Sequence, residues 1–141
     1  RNLFFFGKKI CYGGVQREKV ARLFLKKYCK YNGRLVHEII QADGKLGFLK
    51  NSLNHYTYRD YDHFIAKMNH YSALKAKELH RKGQKVNLYH VLVKPTARFF
   101  IHYIIQLGFL DGLAGLVFAK TQAYGVLTRY LKLRFINKNI K

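Results

Sequence analysis

Residues 54–83 read NHYTYRDYDHFIAKMNHYSALKAKELHRKG, and within this stretch the pattern changes from that of a strand to that of a helix. Polar and aromatic residues alternate at its start, as on a half-buried strand. From Tyr61 to Leu79 the apolar residues instead recur every three or four positions, which is typical of an amphipathic helix. Asp60 or Asp62 can cap the start of that helix, and Gly83 can end it. The sequence therefore predicts a mixed α/β fold.

The part of the chain before this stretch carries short β-prone runs separated by turn residues. Gly7 separates the first two runs, and the Gly13-Gly14 pair predicts a turn or a close approach of the backbone to another group. Asn32-Gly33 is typical of a hairpin turn. The predicted strands in this part are Leu3–Phe6, Lys9–Tyr12, Val20–Leu25 and Arg34–Glu38. A further turn at Ala42-Asp43-Gly44 is followed by the short run Leu46–Leu49.

Two further helices are predicted in the last third of the chain. Pro95 suits the first turn of a helix over roughly residues 95–107, which stops at Gly108. Asp111 can cap the last helix, over roughly residues 112–134. Both helices combine long apolar stretches with basic residues, and charges interrupt them too often for a membrane span, which needs about 20 mostly apolar residues.

Basic amphipathic helices of this kind can lie in a bilayer interface, with Lys and Arg at anionic headgroups. The alternative is that they bury their apolar faces against their own domain. The chain is thus divided into a strand-rich segment, 1–59, an amphipathic helix with a connector, 60–93, and basic amphipathic helices, 94–141, which are predicted to contact a membrane surface.

The composition restricts the class of protein. A chain of 141 residues has the length of one domain. Lys and Arg number 27 against 7 Asp and Glu, which gives a net charge of +20, while a hydrophobic content of 49% excludes a disordered polycation. The partners should be anionic: nucleic acid, phosphorylated small molecules or an acidic membrane surface. The two cysteines lack a metal-binding spacing and are expected to be free, buried thiols.

One constellation could carry chemistry. The Gly13-Gly14 pair would let the backbone approach a ligand. Glu18, just beyond it, could act as a general base, and Arg22 could offset phosphate charge. His37 could bind a metal or donate a proton, with Glu38 beside it. The alternative from spacing alone is that Glu18 is a solvated turn acid and His37 an ordinary strand residue.

Several short motifs occur in a fixed order along nearly the whole chain. They are Gly7–Gly14, Arg22–Phe24, Val36–Glu38 and His55–Tyr58, followed by Gly108–Gly112 and Gly115. In this order the sequence resembles the C-terminal half of bacterial family 2 glycosyltransferases. It is most similar to the subgroup associated with lipopolysaccharide-core or capsular sugar transfer.

The resemblance implies a GT-A fold, an α/β nucleotide-binding sandwich that uses a nucleotide-diphosphate sugar and a divalent metal, Mg or Mn. Gly13 and Gly14 match the glycine loop near the donor sugar. Glu18 matches the catalytic base of inverting members, although Asp is usual there and Val15 stands where the subgroup usually has Trp. His37 matches the histidine that helps to hold the metal and the diphosphate.

Two more motif positions take roles from the same resemblance. Arg22 corresponds to a position that would contact phosphate, and Glu38 to one that would support the site. The family's nucleotide-binding strands and its metal-binding Asp-x-Asp lie upstream of the matched segment, and residues 1–59 do not supply them. Asp60-Tyr61-Asp62 spells such a motif, but it opens a helix, where aspartates cap backbone amides.

The chain is expected to be a piece of a longer protein because it opens at Arg1 within an apolar run. It is expected to be inactive alone because it lacks the donor-nucleotide site that the resemblance implies. The whole enzyme is expected to be an inverting glycosyltransferase that moves a sugar from a nucleotide-diphosphate donor to a lipid-linked or lipopolysaccharide-type acceptor. It would lie in the cytoplasm, peripheral on the inner face of the plasma membrane. The alternative is a basic membrane-surface or nucleic-acid-binding module without catalysis; no specific nucleic acid is expected, since no zinc-finger, RRM or helix-turn-helix pattern occurs.

Overall fold

A computed structural model describes residues 2–5, 7–15, 24–25, 27, 29–31, 40–42, 47, 50–56, 58 and 60–138. These residues form a mixed α/β fold, as predicted. The strands are β1 (Asn2–Phe5), β2 (Lys8–Ile10), β3 (Cys29–Tyr31), β4 (Ile40–Ala42) and β5 (Asn54–Tyr56). The α-helices are α1 (Tyr61–Arg81), α2 (Lys94–Phe100) and α3 (Leu113–Asn137).

The larger sheet has three strands in the order β2-β1-β5. Strand β1 pairs antiparallel with β2 and parallel with β5. Gly7 makes the tight turn between β1 and β2 with φ of 74°, a conformation that glycine adopts without a steric penalty. The strands predicted on either side of Gly7 and at the start of the 54–83 stretch are therefore confirmed.

The second sheet is an antiparallel pair of β3 and β4, in which Tyr31 lies opposite Ile40. Neither strand was predicted at these positions. The predicted turn Asn32-Gly33 and the predicted strand Arg34–Glu38 lie outside the described residues. Phe24 and Leu25, the described part of another predicted strand, are not in a strand.

Helix α1 begins and ends as the sequence predicts. The side chain of Asp60 accepts a hydrogen bond from the His63 amide at 2.7 Å, which satisfies one of the free amides of the first turn. Gly83 follows the helix with φ of 69°. The buried face of α1 packs along α3, where the Ser72 hydroxyl donates to the Gly125 carbonyl at 3.0 Å.

The second predicted helix is longer than expected. It begins as a π-helical stretch, Tyr89–Val93, continues as α2 and ends as a second π-helical stretch, Ile101–Ile105. Pro95 therefore lies at the start of α2 but within the helix as a whole, because the wide π turn before it relieves the clash of the proline ring with the preceding turn.

The π turns also keep four regularly spaced residues on the same side of this helix. His90, Lys94, Arg98 and His102 recur every four positions. In a pure α-helix each such step would rotate about 40° too far, and the wider π turns correct this drift. The row faces α3: the Lys94 ammonium donates to the Tyr130 hydroxyl at 2.8 Å, and the His102 ring meets Phe118.

Helix α3 is the centre of the fold. Its buried side chains join two clusters, one with the sheet and one with the second half of α1. The first contains Phe5, Ile10, Phe64 and Phe118; the second contains Ala76, Val126, Tyr130 and Leu133. None of the helices in the described part of the chain has the length and hydropathy needed to cross a bilayer.

Two expectations about single residues were wrong. Asp111 does not cap α3; the N-cap residue is Gly112, without a side-chain hydrogen bond, and Asp111 ends a short 3-10 turn, Gly108–Asp111. Its carboxylate instead accepts hydrogen bonds from the two backbone amides that follow β2, those of Cys11 and Tyr12. Cys11, expected to be buried, is a free and exposed thiol because it lies on the outer side of that same connection.

Candidate functional site

The Gly13-Gly14 pair lies in a loop that leaves the end of β2. Both residues have positive φ, 72° and 87°, in the region that favours glycine. A Cβ on Gly14 would overlap the side-chain amide of Gln106, so the absence of a side chain lets Gln106 pack directly on the loop. The close approach predicted for these glycines is made by the protein's own helix end.

The backbone amides of the loop are bound in sequence. The Asp111 carboxylate accepts from the Cys11 amide at 3.1 Å and from the Tyr12 amide at 2.9 Å. The Gly13 amide donates to the Gln106 carbonyl at 2.9 Å. Asp111 is only 4% exposed, so its carboxylate is largely shielded from water and would be costly to leave unpaired. Together they fix the course of the loop.

His102 completes the support of the loop. Its Nδ1 atom lies 2.7 Å from the Gly13 carbonyl oxygen, and the ring stands edge-on to Phe118. Nε2 of His102 and Oε1 of Gln106 are buried, and neither has a hydrogen-bond partner among the described residues. Burial lowers the pKa of His102, and Arg98 lowers it further, while the Gly13 carbonyl and Gln106 act in the opposite direction. The ring is therefore neutral at neutral pH, with Nδ1–H donating to the Gly13 carbonyl oxygen.

The stability of the protein should consequently fall as the medium becomes acidic. The pKa of His102 is lower in the folded state than its ordinary value of 6.5. As the pH falls below about 6.5 the unfolded chain therefore takes up a proton before the folded chain does, and the proton favours unfolding. Burial and Lys94 lower the pKa of His90 as well, which acts in the same direction.

We expect His102→Asn to weaken this pH dependence, because the Asn amide can still donate to the Gly13 carbonyl but does not titrate. The measurement is the urea unfolding midpoint between pH 7.5 and 5 for both forms. His70→Asn, on the exposed side of α1, is the control. An unchanged slope in His102→Asn would show that other groups cause the acid sensitivity.

The second π-helical stretch, the 3-10 turn and the start of α3 lie close together because two glycines, Gly108 and Gly115, leave room for this. A Cβ on Gly108 would lie 2.5 Å from the His102 carbonyl oxygen. A Cβ on Gly115 would overlap the carbonyl oxygen of Gly108. The motif Gly108–Gly112 with Gly115 thus holds the Gly13-Gly14 loop, about 100 residues earlier in the chain. Two motifs that resemble the same family are parts of one structural unit.

The remaining predicted site residues lie outside the described residues: Glu18, Arg22, His37 and Glu38. Gly13 and Gly14 are described, and the chain continues from their loop toward Glu18. Among the residues that the structure describes, no group of three or more His, Cys, Asp or Glu side chains could hold a metal ion.

Sequence reasoning missed the residues that hold the loop. Asp111 was interpreted as a helix cap, and neither His102 nor Gln106 was assigned a role. The sequence feature that could have indicated this role is Asp111 itself, an acidic residue between a glycine-rich turn and an apolar helix, in a motif that resembles the family.

Distant relatives of the chain include two rickettsial proteins. The chain is 25% identical over 125 residues to an uncharacterized glycosyltransferase of Rickettsia felis, and equally so to an uncharacterized glycosyltransferase of Rickettsia conorii. Each alignment covers 82% of this chain but 44% of the relative, so the chain spans less than half of the length of these proteins. No protein-family model and no solved structure matches the chain. The similarity supports a relationship to glycosyltransferases.

Proposed function

We propose that this chain is the acceptor-side part of an inverting family 2 glycosyltransferase with a GT-A fold. The observation that supports the proposal best is the contact between two motifs far apart in sequence. Asp111, in the second motif, binds the amides that lead into the Gly13-Gly14 loop of the first. A loop fixed in this way can hold the following residues at a reacting centre with little loss of entropy on binding.

In the proposed reaction a hydroxyl of the acceptor attacks the anomeric carbon of a nucleotide-diphosphate sugar. Glu18 takes the proton of that hydroxyl as the new C–O bond forms, and the nucleoside diphosphate leaves with the electron pair of the broken C–O bond. Arg22 offsets the negative charge of the leaving diphosphate, and Glu38 supports the site. His37 is the residue of this chain proposed to bind a divalent Mg or Mn ion.

The acceptor is proposed to be a lipid-linked or lipopolysaccharide-type sugar, reached from the cytoplasmic face of the inner membrane. The high positive charge of the chain favours a phosphate-bearing substrate and an anionic surface. The relatives' names specify neither donor nor acceptor.

The test uses the full-length gene product and a panel of nucleotide-diphosphate sugars, with release of the nucleoside diphosphate as the readout and a glycolipid extract as acceptor. Glu18→Gln is expected to lower the rate by about 100-fold or more, since a general base contributes at least that much. Asp62→Asn, the same chemical change at an exposed position on α1, should leave the rate unchanged.

Two results would count against the proposal. If no nucleotide sugar in the panel is consumed with any acceptor fraction, the assignment as a transferase fails. If sugar transfer is found but Glu18→Gln retains it within a few-fold, the reaction class stands and Glu18 is not the base.

A further inference from the structure

The helix that contains α2 is turned with its apolar side outward. Twelve large hydrophobic side chains between Leu88 and Leu113 are exposed, and we name this set the outer row. Its most exposed members are Leu88 at 72%, Ile105 at 73% and Leu113 at 75%. Isolated exposed hydrophobic residues are ordinary on protein surfaces, but so many within one stretch of 26 residues indicate an interaction surface.

The outer row contains no charge. The charged and histidine side chains of the same stretch are His90, Lys94, Arg98, His102 and Asp111, and none of them is exposed. They are half-buried or buried instead: the Lys94 ammonium donates to the Tyr130 hydroxyl, and the Asp111 carboxylate accepts from the Tyr12 amide. Apart from the Tyr89 hydroxyl, the described stretch 88–113 exposes one polar side chain, that of Thr96. Its hydroxyl donates to the Leu92 carbonyl of the same helix.

A positively charged cavity adjoins one end of the outer row. It has a volume of about 740 Å³ and lies between the end of α1, the connector after Gly83 and the end of α3. His80, Lys85, Arg134 and Lys138 line it, and none of the described residues around it is acidic. We name this cavity the cationic cup. Leu88 lines it and also belongs to the outer row, so basic and apolar surfaces are continuous there.

We propose that the outer row docks on a bilayer that contains anionic phospholipid. The outer row would lie among the acyl chains, and the cationic cup would hold headgroup phosphates at its edge. An anionic bilayer favours a protein surface in which an uncharged apolar face is bordered by cations and no carboxylate lies beside them. The outer row and the cationic cup together have this arrangement. The inference goes beyond sugar transfer, because membrane binding needs no donor, acceptor or catalytic residue.

Charge argues against a second copy of this chain as the occupant. Each copy carries a net charge of +20, and a two-fold contact through the outer row would bring like charges together. The edge of the larger sheet is a different kind of surface, since β2 and β5 are its outer strands among the described residues. A further protein segment that adds strands would pair there rather than on a helical face, which offers no free backbone groups.

The experiment is co-sedimentation of the full-length gene product with vesicles, in the absence of any nucleotide sugar. One set of vesicles is phosphatidylcholine, and the other contains equal parts of phosphatidylcholine and phosphatidylglycerol. We expect binding to the anionic vesicles that weakens with salt, and little binding to the neutral ones. The double variant Leu92→Gln/Ile105→Gln should bind at least about 10-fold more weakly, because it removes two apolar side chains from the docking face.

Two control variants separate specific docking from general effects. Leu25→Gln/Leu53→Gln makes the same chemical change at exposed positions outside the outer row and should bind as the parent does. Lys85→Gln/Lys138→Gln, in the cationic cup, should weaken binding to anionic vesicles by about 25-fold, at about fivefold for each lysine. Lys9→Gln/Lys50→Gln has the same net charge but lies elsewhere on the surface, and should have a smaller effect.

Several outcomes would overturn the proposal. Equal binding by the parent and Leu92→Gln/Ile105→Gln would remove the outer row from the interaction. A dimer that Leu92→Gln/Ile105→Gln converts to monomers, without vesicle binding, would assign this face to a second copy. Binding of inorganic phosphate or single-stranded DNA but not of vesicles would assign the cationic cup to a soluble anion. None of these results depends on whether the protein transfers a sugar.

Discussion

Asp111→Ala is expected to lower the free energy of unfolding by about 2–3 kcal/mol and to reduce sugar transfer by the full-length gene product together with it. The carboxylate is buried and accepts from two backbone amides, those of Cys11 and Tyr12. Alanine leaves both amides without this acceptor in a partly buried place. The loop would then lose the contact that joins it to the end of the helical layer.

Urea unfolding measures the stability change, and the rate of nucleotide-sugar consumption measures the functional one. Asp111→Asn should be intermediate, because the amide keeps one acceptor oxygen but adds a donor that has nothing to bind. Asp62→Ala, at an exposed position in the first turn of α1, is the matched control and should cost no more than about 1 kcal/mol. If Asp111→Ala were as stable as this control, the loop would not depend on the carboxylate.

Gly115→Ala is expected to destabilise the protein by about 3 kcal/mol or more, since the added Cβ overlaps a backbone carbonyl oxygen, that of Gly108. Neither the carbonyl nor the helix can move without separating the 3-10 turn from α3. The contact is therefore more costly than one with the end of a flexible side chain.

Alanine variants of two other glycines serve as controls for this measurement. At Gly125 the added Cβ would meet the side chain of Met68, which can rotate away, so Gly125→Ala should cost less, about 1 kcal/mol. At Gly47 no atom of the described residues lies within 4 Å of the added Cβ, and Gly47→Ala should change stability by less than about 0.5 kcal/mol. Equal thermal midpoints for the Gly115 and Gly47 variants would contradict the tight packing at Gly115.

The parts of the fold that the sequence predicts well depend on local rules. Asp60 caps α1, Gly83 follows its end, and Gly7 forms a turn, because each of these features is determined by a few neighbouring residues. The strands next to Gly7 are correct for the same reason. The period of the apolar residues was sufficient to identify α1.

The features that the sequence did not predict depend on residues far away along the chain. An aspartate that caps a helix and one that binds a distant loop have the same local sequence pattern. For Asp111, only the position of the Cys11 and Tyr12 amides in space shows which of the two roles it has. The π-helical turns beside α2 were missed because the helix was expected to begin at Pro95. Glu18, Arg22, His37 and Glu38 stay predictions.

The separation between the glycine loop and Asp111 also has a consequence for the order in which this protein becomes folded during synthesis. The loop is translated early, but its anchor follows about 100 residues later, which at about 5–20 residues per second is a delay of roughly 5–20 s. Contacts of such high sequence separation form late, after local helices. We therefore expect a nascent chain that has not yet exposed Asp111 to resemble the Asp111→Ala variant, with its helix α1 formed and its glycine loop accessible to proteases and chaperones.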